Sequence, residues 1–235
     1  MVLALYQTQT TQLLQNPAAT SSLYATSDIT SYINRARVQL AGETNCVRSY
    51  ATLALTYGTQ SYAFSSVAVP TGVAGVFNVR GVTVNLASGQ RWLAPRPFPY
   101  FQLYYLNNPV PQLGLPTVYS QFGQGESGTL YLNPAPDYGY TANVDAVCVP
   151  AALVDDTTVE VIPAPFTEAV PYYAAYLAFL SSQRAADADR MWREYQKFAS
   201  RGRQISNGEV NPGQYVQQPD PTRANKLGVQ AQQGG

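Results

Sequence analysis

A stretch near the C-terminus, residues 166–201, places the strongest constraint on how this chain can fold. Its large apolar residues recur at intervals of three, four or whole helical turns, at Val170, Tyr173, Leu177, Leu180, Met191, Tyr195 and Phe198. This spacing predicts one continuous amphipathic helix, roughly 50 Å long at about 1.5 Å per residue. A small domain cannot cover a stripe of that length, so we expect part of the helix to contact another chain.

Residues at both ends of this stretch fit a helix. Thr167 can act as an N-cap and Glu168 lies in the first turn, where a negative charge is favourable. Lys197 and Arg201 place positive charge near the C-terminus, and Gly202 follows as a stop signal.

The composition leaves two interpretations of the surface open. Of 235 residues, 12% are charged and 46% are hydrophobic, and 18 are tyrosines. Charge is depleted and tyrosine enriched at protein interfaces, so the surface could be covered by neighbouring chains. A tyrosine-rich β domain explains the same numbers.

Charge, cysteine content and hydropathy argue against several classes of protein. A formal net charge of zero gives no general affinity for nucleic acid phosphates or anionic membranes. Cys46 and Cys148 are too few for a secreted disulfide framework, although a single bridge between them remains open. No apolar run approaches the roughly 20 residues of a membrane span. We therefore expect a soluble protein of the cytosol or of an assembled particle.

Two helices are predicted before the central region. Residues 7–15 could form a short one. A longer one begins at Ser27 or Asp28 as N-cap and ends at Gly42. Its predicted apolar face consists of Ile29, Ile33, Ala36, Val38 and Leu40.

From residue 50 the hydrophobic period changes to two, which predicts strands. Residues 50–57 and 61–69 are expected to form a hairpin around Gly58, and residues 73–95 two more strands that turn at Arg80 and Gly81. Residues 95–121 are dense in proline and aromatic residues and predict a loop or edge with exposed rings. Two last strands are predicted at residues 129–132 and 140–148.

These elements predict an α+β fold. N- and C-terminal helices form a helical bundle, a mostly antiparallel β domain is inserted between them, and an extended C-terminal tail follows. The expected domains are an N-terminal helical region of residues 1–49, the inserted β domain of residues 50–162, the long helix of residues 163–202 and the tail of residues 203–235.

Candidate catalytic residues are few because the chain contains no histidine. This excludes Ser-His-Asp and Cys-His nucleophiles and most zinc sites. Ser127 lies in a GESG sequence that resembles a nucleophile elbow but lacks its spacing and a base. Five carboxylates could supply an acid–base pair or calcium ligands, but they fall where turns favour acidic residues: Glu126, Asp137, Asp145, Asp155 and Asp156. We expect no catalytic residue, cofactor or metal.

The C-terminal half of the long helix carries a cluster of charges. Pairs at i and i+4, Asp189 with Arg193 and Arg190 with Glu194, are expected on a solvated face, where each contributes about 0.2–0.5 kcal/mol. A specific network between subunits is the alternative.

Four segments, taken in order, resemble the head-to-tail adaptor proteins of tailed bacteriophages, especially the short-tailed type. They read TSDITSYINRARVQLAGE, ATLALTYGTQSYAFSSV, LYLNPAPDYGYTANVDAVCVPAALVDD and PAPFTEAVPYYAAYLA. The resemblance covers about residues 27–200 and lies in the succession of segments, since no single motif is specific.

This resemblance implies a structural virion protein at the head–tail junction. It implies a ring, usually of twelve copies, that sits below the portal protein, extends the DNA channel and presents a platform for the tail nozzle or tail tube. Double-stranded DNA would pass through the lumen without sequence recognition, and the C-terminal tail would reach the portal. The expected portal-contact residues are Val210, Tyr215, Val216, Arg223, Lys226 and Leu227. The expected ring-contact residues are Tyr176, Arg190, Arg193 and Glu194.

Two other functions remain open from the sequence. Aromatic residues between Phe98 and Tyr105 would suit a carbohydrate-binding β module. Asp137 and Glu126 would be the residues of a carboxylate-dependent hydrolase.

Overall fold

The computed structural model describes residues 3–15, 23–107 and 111–208. Helix α1 spans Leu3–Leu13 and helix α2 spans Thr26–Thr44. The N-cap of α2 is Ala25, and the helix ends at Asn45 in the left-handed conformation, so the caps expected at residues 27 and 28 and the stop expected at Gly42 are wrong. Of the predicted apolar face, Val38 is 46% exposed while its other members are buried.

The predicted single long helix is wrong. The segment instead forms a one-turn helix α4, Ala164–Thr167, followed by α5, Ala169–Ser181, and α6, Ala185–Gly208. Gln183 adopts φ 60°, and the amide of Arg184 donates to the carbonyl of Phe179, which reverses the chain. Helices α5 and α6 therefore form an antiparallel hairpin rather than a rod.

The two halves of the apolar stripe cover each other within this hairpin. Tyr173 and Tyr195 have ring centroids 4.8 Å apart, and Tyr172 stacks on Phe198 at 5.4 Å. Leu180, next to the reversal, is 46% exposed. Most of the stripe thus has its partner in the same chain.

The predicted ends of the helix are also wrong. Thr167 lies inside α4, and α6 continues through Gly202 to Gly208. A Cβ atom at Gly202 would lie 2.8 Å from the ring of Phe166 and 3.2 Å from Cγ2 of Thr44. Gly202 is therefore required by the close approach of α6 to these side chains, not by a helix end.

In the part of the chain that the structure describes, eight strands lie between the helical segments. In chain order they are β1 Arg48–Leu55, β2 Ser61–Ala63, β3 Val73–Leu86, β4 Gly89–Trp92, β5 Ala94–Pro95, β6 Val118–Phe122, β7 Thr129–Asn133 and β8 Tyr140–Pro150. One sheet has the order β1-β8-β3-β4 and is antiparallel, and the other has the order β2-β7-β6-β5, with β5 parallel to β6. The sheets meet where the hydroxyl of Tyr119 donates to the carbonyl of Arg80 over 3.0 Å.

Several strand predictions need correction. Strands β1 and β2 lie in different sheets, and the predicted hairpin is reduced to one antiparallel bridge between Thr52 and Ala68. Strand β3 runs through Arg80 and Gly81 with only a register shift, because the chain reverses later, between Leu86 and Gly89. The proline-rich segment contains helix α3, Phe98–Phe101, a π-helical turn, Gln102–Leu106, and strand β6 inside the second sheet. The strands predicted at residues 129–132 and 140–148 are present as β7 and β8.

A buried ion pair ties α2 to the connector, which we define as residues 151–163. Arg37 donates to Oε2 of Glu160 through Nε (3.0 Å), to Oε1 through Nη2 (2.8 Å) and to the carbonyl of Ala151 through Nη1 (2.6 Å). The side chains of Arg37 and Glu160 are 1% and 4% exposed. One turn away, Asn34 accepts from the amide of Leu153 and donates to its carbonyl. Together these bonds fix the path of the chain from β8 to α4.

The structure confirms the α+β class. Helix α2 packs on α5, α6 and β8, and a continuous buried core joins the helices to the sheets.

The two cysteines are free, although the amide of Cys148 donates to the carbonyl of Val47, next to Cys46. Among the described residues, no helix is long and apolar enough to cross a membrane.

Candidate functional site

The GESG sequence forms a short turn and no nucleophile elbow. Gly125–Ser127 is one turn of 3-10 helix, and Ser127 is exposed. Its Oγ donates to the carbonyl of Gln124 over 3.2 Å. A serine used in this way closes a turn, and the chain has no histidine to activate it.

Three of the candidate carboxylates accept hydrogen bonds from other residues of the chain, and Glu126 is exposed in the 3-10 turn. Asp137 accepts from the hydroxyl of Tyr140 (2.7 Å) and Asp145 from Arg48 (2.8 Å). Asp156 accepts from the amide of Ala4, near the start of α1. In the part of the chain that the structure describes, no three histidine, cysteine or acidic residues lie close enough to hold a metal ion.

Asp155 organises the exposed turn of the connector. Its Oδ1 accepts from the hydroxyls and amides of both Thr157 and Thr158, at 2.7–2.9 Å. These hydrogen bonds, led by those from the threonine hydroxyls, hold the pKa of Asp155 below its ordinary value. A carboxylate stabilised in its charged form is a poor proton carrier near neutral pH, so Asp155 acts as a turn residue.

The aromatic segment after β5 forms a partly exposed cluster. Phe101 is fully buried, whereas Tyr100 and Tyr104 are 42% and 58% exposed and their rings lie 4.4 Å apart. Phe98 packs on Phe122, with ring centroids 4.5 Å apart. The cluster is therefore anchored on the second sheet and presents only some of its rings to solvent.

The four predicted ring-contact residues lie on the α5–α6 hairpin. Tyr176 packs against Trp192 within the chain, with ring centroids 5.2 Å apart. Arg190 and Arg193 are exposed, and Glu194 accepts from Lys197 (2.7 Å) instead of pairing with Arg190 as predicted. The arginines are thus available to a partner, whereas Tyr176 already belongs to the intramolecular packing.

The outer face of α6 carries a basic row that the sequence interpretation missed. Arg190, Arg193, Lys197 and Arg201 follow one another at intervals of three or four residues, and all are exposed. Residues at this spacing share one helix face. The signal was present in the sequence, but an expected pairing with acidic neighbours concealed it.

The six predicted portal-contact residues lie outside the described residues: Val210, Tyr215, Val216, Arg223, Lys226 and Leu227. Their positions relative to the fold therefore stay a prediction.

Comparison with known proteins gives one extended family match. The model of the family described as SU10 adaptor protein matches residues 4–218. A solved chain described as "Neck of empty GTA particle computed with C6 symmetry" is 14% identical, with 77% of this chain and 80% of that chain covered and a TM-score of 0.27. That TM-score is too low for the likeness to indicate a shared fold. Curated protein sequences gave no match.

Proposed function

This chain belongs to the SU10 adaptor protein family, and on that premise we propose that it forms a ring joining the portal vertex of a tailed bacteriophage to its tail. The family match over residues 4–218 carries the proposal. It agrees with the resemblance to head-to-tail adaptors, which rests on the order of segments in the sequence. The role is structural, in the virion at the head–tail junction.

The finer features of the proposal follow from the resemblance. The ring has about twelve copies, the phage is of the short-tailed type, and double-stranded DNA passes through the lumen without sequence recognition. The helical region, residues 1–49 with 163–202, packs around the ring. The β domain, residues 50–162, faces outward or towards the tail, where the nozzle or tail tube attaches.

The outer face of α6 is the proposed contact between neighbouring copies. Arg190 and Arg193 are exposed there, and arginine forms directed, forked bonds with carboxylates on a facing surface. Glu194 lies next to this face on α6, whereas Tyr176, the fourth proposed contact, lies on α5 and packs on Trp192 within the hairpin. Charged residues at an interface mainly set specificity and association rate.

Ring assembly is tested by negative-stain microscopy and mass photometry of the purified chain. We expect rings, and we expect the double variant Arg190→Glu/Arg193→Glu to remain folded and to lose them. Arg91→Glu is the control, because Arg91 is also exposed but lies on β4. A chain that stays monomeric at high concentration, also with portal protein added, would contradict the proposal.

Portal binding is assigned to the tail, through Val210, Tyr215, Val216, Arg223, Lys226 and Leu227. A deletion from residue 203 would remove the end of α6 and the bond from Arg203 to Glu43 (2.8 Å), so the informative deletion is 209–235. We expect that deletion to abolish binding to portal rings and to leave the fold intact. A composition-matched scrambled tail is the control, and unchanged portal binding by the deletion variant would refute the assignment.

A further inference from the structure

A groove lies between α1, α5 and α6. Helix α5 packs against both α1 and α6, and its first turns form the floor. The groove has a volume of ≈ 340 Å³, and we call it the α1–α6 groove. Its lining includes Gln9, Gln12 and Leu13 of α1, Glu168 and Tyr172 at the start of α5, and Phe198 of α6.

An apolar floor and polar walls decide what this groove can bind. The rings of Tyr172 and Phe198 stack with centroids 5.4 Å apart and are only partly buried, so their remaining surface suits another aromatic or aliphatic side chain. Gln9 and Gln12 line one wall with amide groups, and Glu168 is an exposed carboxylate on the other. Glu168 would repel an acidic segment. The groove therefore fits an apolar segment that is rich in hydrogen-bonding groups and free of negative charge.

The chain that follows α6 is long enough to return to the groove. Gly208 lies ten residues after Phe198, about 15 Å further along α6 at about 1.5 Å per residue. Seven residues lead from Gly208 to Tyr215, and they can span up to about 23 Å at about 3.3 Å per residue. Val210, only two residues after Gly208, is too close to reach back. Tyr215 is therefore within reach of Phe198 in the same chain.

Residues 214–218 match the groove in chemistry. Tyr215 is the single aromatic residue in the sequence 209–235, and Val216 follows it. Gln214, Gln217 and Gln218 flank this apolar pair, and none of the five residues is charged. An aromatic ring, an aliphatic side chain and several amides are what the floor and walls of the groove can contact.

We propose that residues 214–218 dock in the α1–α6 groove of their own chain, with the ring of Tyr215 against Tyr172 and Phe198 and the glutamine amides bonded to the polar walls. Tyr215 and Val216 are also proposed portal contacts, so the groove and the portal compete for the same segment. The docking stands on the groove and the reach of the chain, whereas the competition rests on the proposed portal role of the tail.

The tether to α6 sets how much of the segment is docked. A short tether gives an effective concentration of about 1 mM, so an intrinsic dissociation constant of about 0.1 mM would leave the groove about nine-tenths filled. The portal would then meet about one free segment in ten, which weakens its apparent affinity about tenfold. Release of the segment from the groove should therefore strengthen portal binding.

Hydrogen–deuterium exchange of the full chain measures the docking without any portal protein. A docked segment covers residues 9–13 of α1 and slows amide exchange there. Tyr215→Ala removes the aromatic contact, so we expect exchange of residues 9–13 to become up to about tenfold faster, in proportion to the filled fraction. Val229→Ala is the tail control, because Val229 lies outside residues 214–218 and should leave this exchange unchanged.

A change in the groove separates docking from portal binding. Gln12→Arg places a long side chain across the groove, opposite Glu168, and leaves every tail residue intact. We expect it to strengthen portal binding up to about tenfold, whereas Tyr215→Ala should weaken portal binding. Thr8→Arg is the matched control, because Thr8 is exposed on α1 and does not line the groove. Circular dichroism checks the fold of each variant, and Tyr215→Ala carries the test if Gln12→Arg perturbs α1.

Two results would overturn the proposal. One is exchange of residues 9–13 that is the same in Tyr215→Ala and in the unchanged chain. The other is protection of these residues that disappears on dilution to single copies, because the segment would then belong in the groove of a neighbouring copy. A chain that shows the expected exchange but binds no portal protein would uphold the docking and refute only the portal role of the tail.

Discussion

The buried pair of Arg37 and Glu160 provides the strongest test of what holds the helices to the connector. In Arg37→Met, the Glu160 carboxylate keeps the amide of Ile162 as a donor but loses both guanidinium bonds. Leaving one charge of a buried pair uncompensated costs about 3–5 kcal/mol. For a domain of this size, about 2–4 °C of thermal midpoint is lost per kcal/mol, so we expect a decrease of about 6–20 °C.

The pair of Arg48 and Asp145 is the matched control. Its shortest N–O distance is also 2.8 Å, but its side chains are 35% and 23% exposed, against 1% and 4% for Arg37 and Glu160. Water screens the exposed pair, so Arg48→Met should cost less than about 1 kcal/mol. The shortest distance is the same in the two pairs, and the deeper burial of Arg37 and Glu160, together with the bond from Arg37 to the carbonyl of Ala151, predicts the larger cost of Arg37→Met.

The assay is urea unfolding followed by circular dichroism, for Arg37→Met, Glu160→Gln and the double variant. We expect the double variant to cost less than the sum of the single changes, because it no longer leaves an unpaired charge in the core. Strict additivity, or equal costs for Arg37→Met and Arg48→Met, would refute this reasoning.

Four other perturbations test packing at two glycines and the effect of burial on two side chains. Gly202→Ala should cost about 1–3 kcal/mol in urea unfolding, because its Cβ would meet the ring of Phe166 at 2.8 Å; Gly42→Ala, with nothing within 4 Å, should stabilise α2 by about 0.4–1 kcal/mol. Burial raises the pKa of Tyr119 from 10.0 to about 12, so the stability from its neutral phenol is retained below pH 10 and lost as pH rises through 12; Tyr119→Phe should reduce this alkaline loss in a pH series of unfolding curves. Burial also raises the pKa of Cys148 to about 11, so iodoacetamide at pH 8 should modify this thiol only after denaturation, as mass spectrometry would detect.

Hydrophobic periodicity identified the helical residues at the C-terminus but could not show that the chain reverses. Leu180 and Met191 are eleven residues apart, close to three helical turns, so a straight helix and a hairpin give the same stripe. The reversal uses Gln183 in a left-handed conformation, and the residues around it include neither glycine nor proline. The usual signal for a helix end was therefore missing.

Strand prediction failed for a related reason. Alternation shows that a segment is a strand, but not which strand it pairs with, so β1 and β2 were assigned to one hairpin although they lie in different sheets. Gly81 suggested a turn, yet its small size serves the indole of Trp92, which arrives from β4. Arg37 and Glu160 are 123 residues apart, and nothing local marks them as partners.

The hairpin changes what a contact between copies can consist of. If the apolar stripe were exposed, burial of apolar surface would stabilise the contact between copies. Instead, α5 and α6 bury most of the stripe against each other, as the contact of Tyr173 with Tyr195 shows. What α6 presents outward is the row from Arg190 to Arg201, about 16 Å long at 1.5 Å per residue. If this face joins neighbouring copies, charge pairing guides the assembly, and added salt should weaken ring formation because it screens such pairs. Rings that become more stable with added salt would instead place the contact on an apolar surface, such as the exposed side chains of Tyr104 and Phe122.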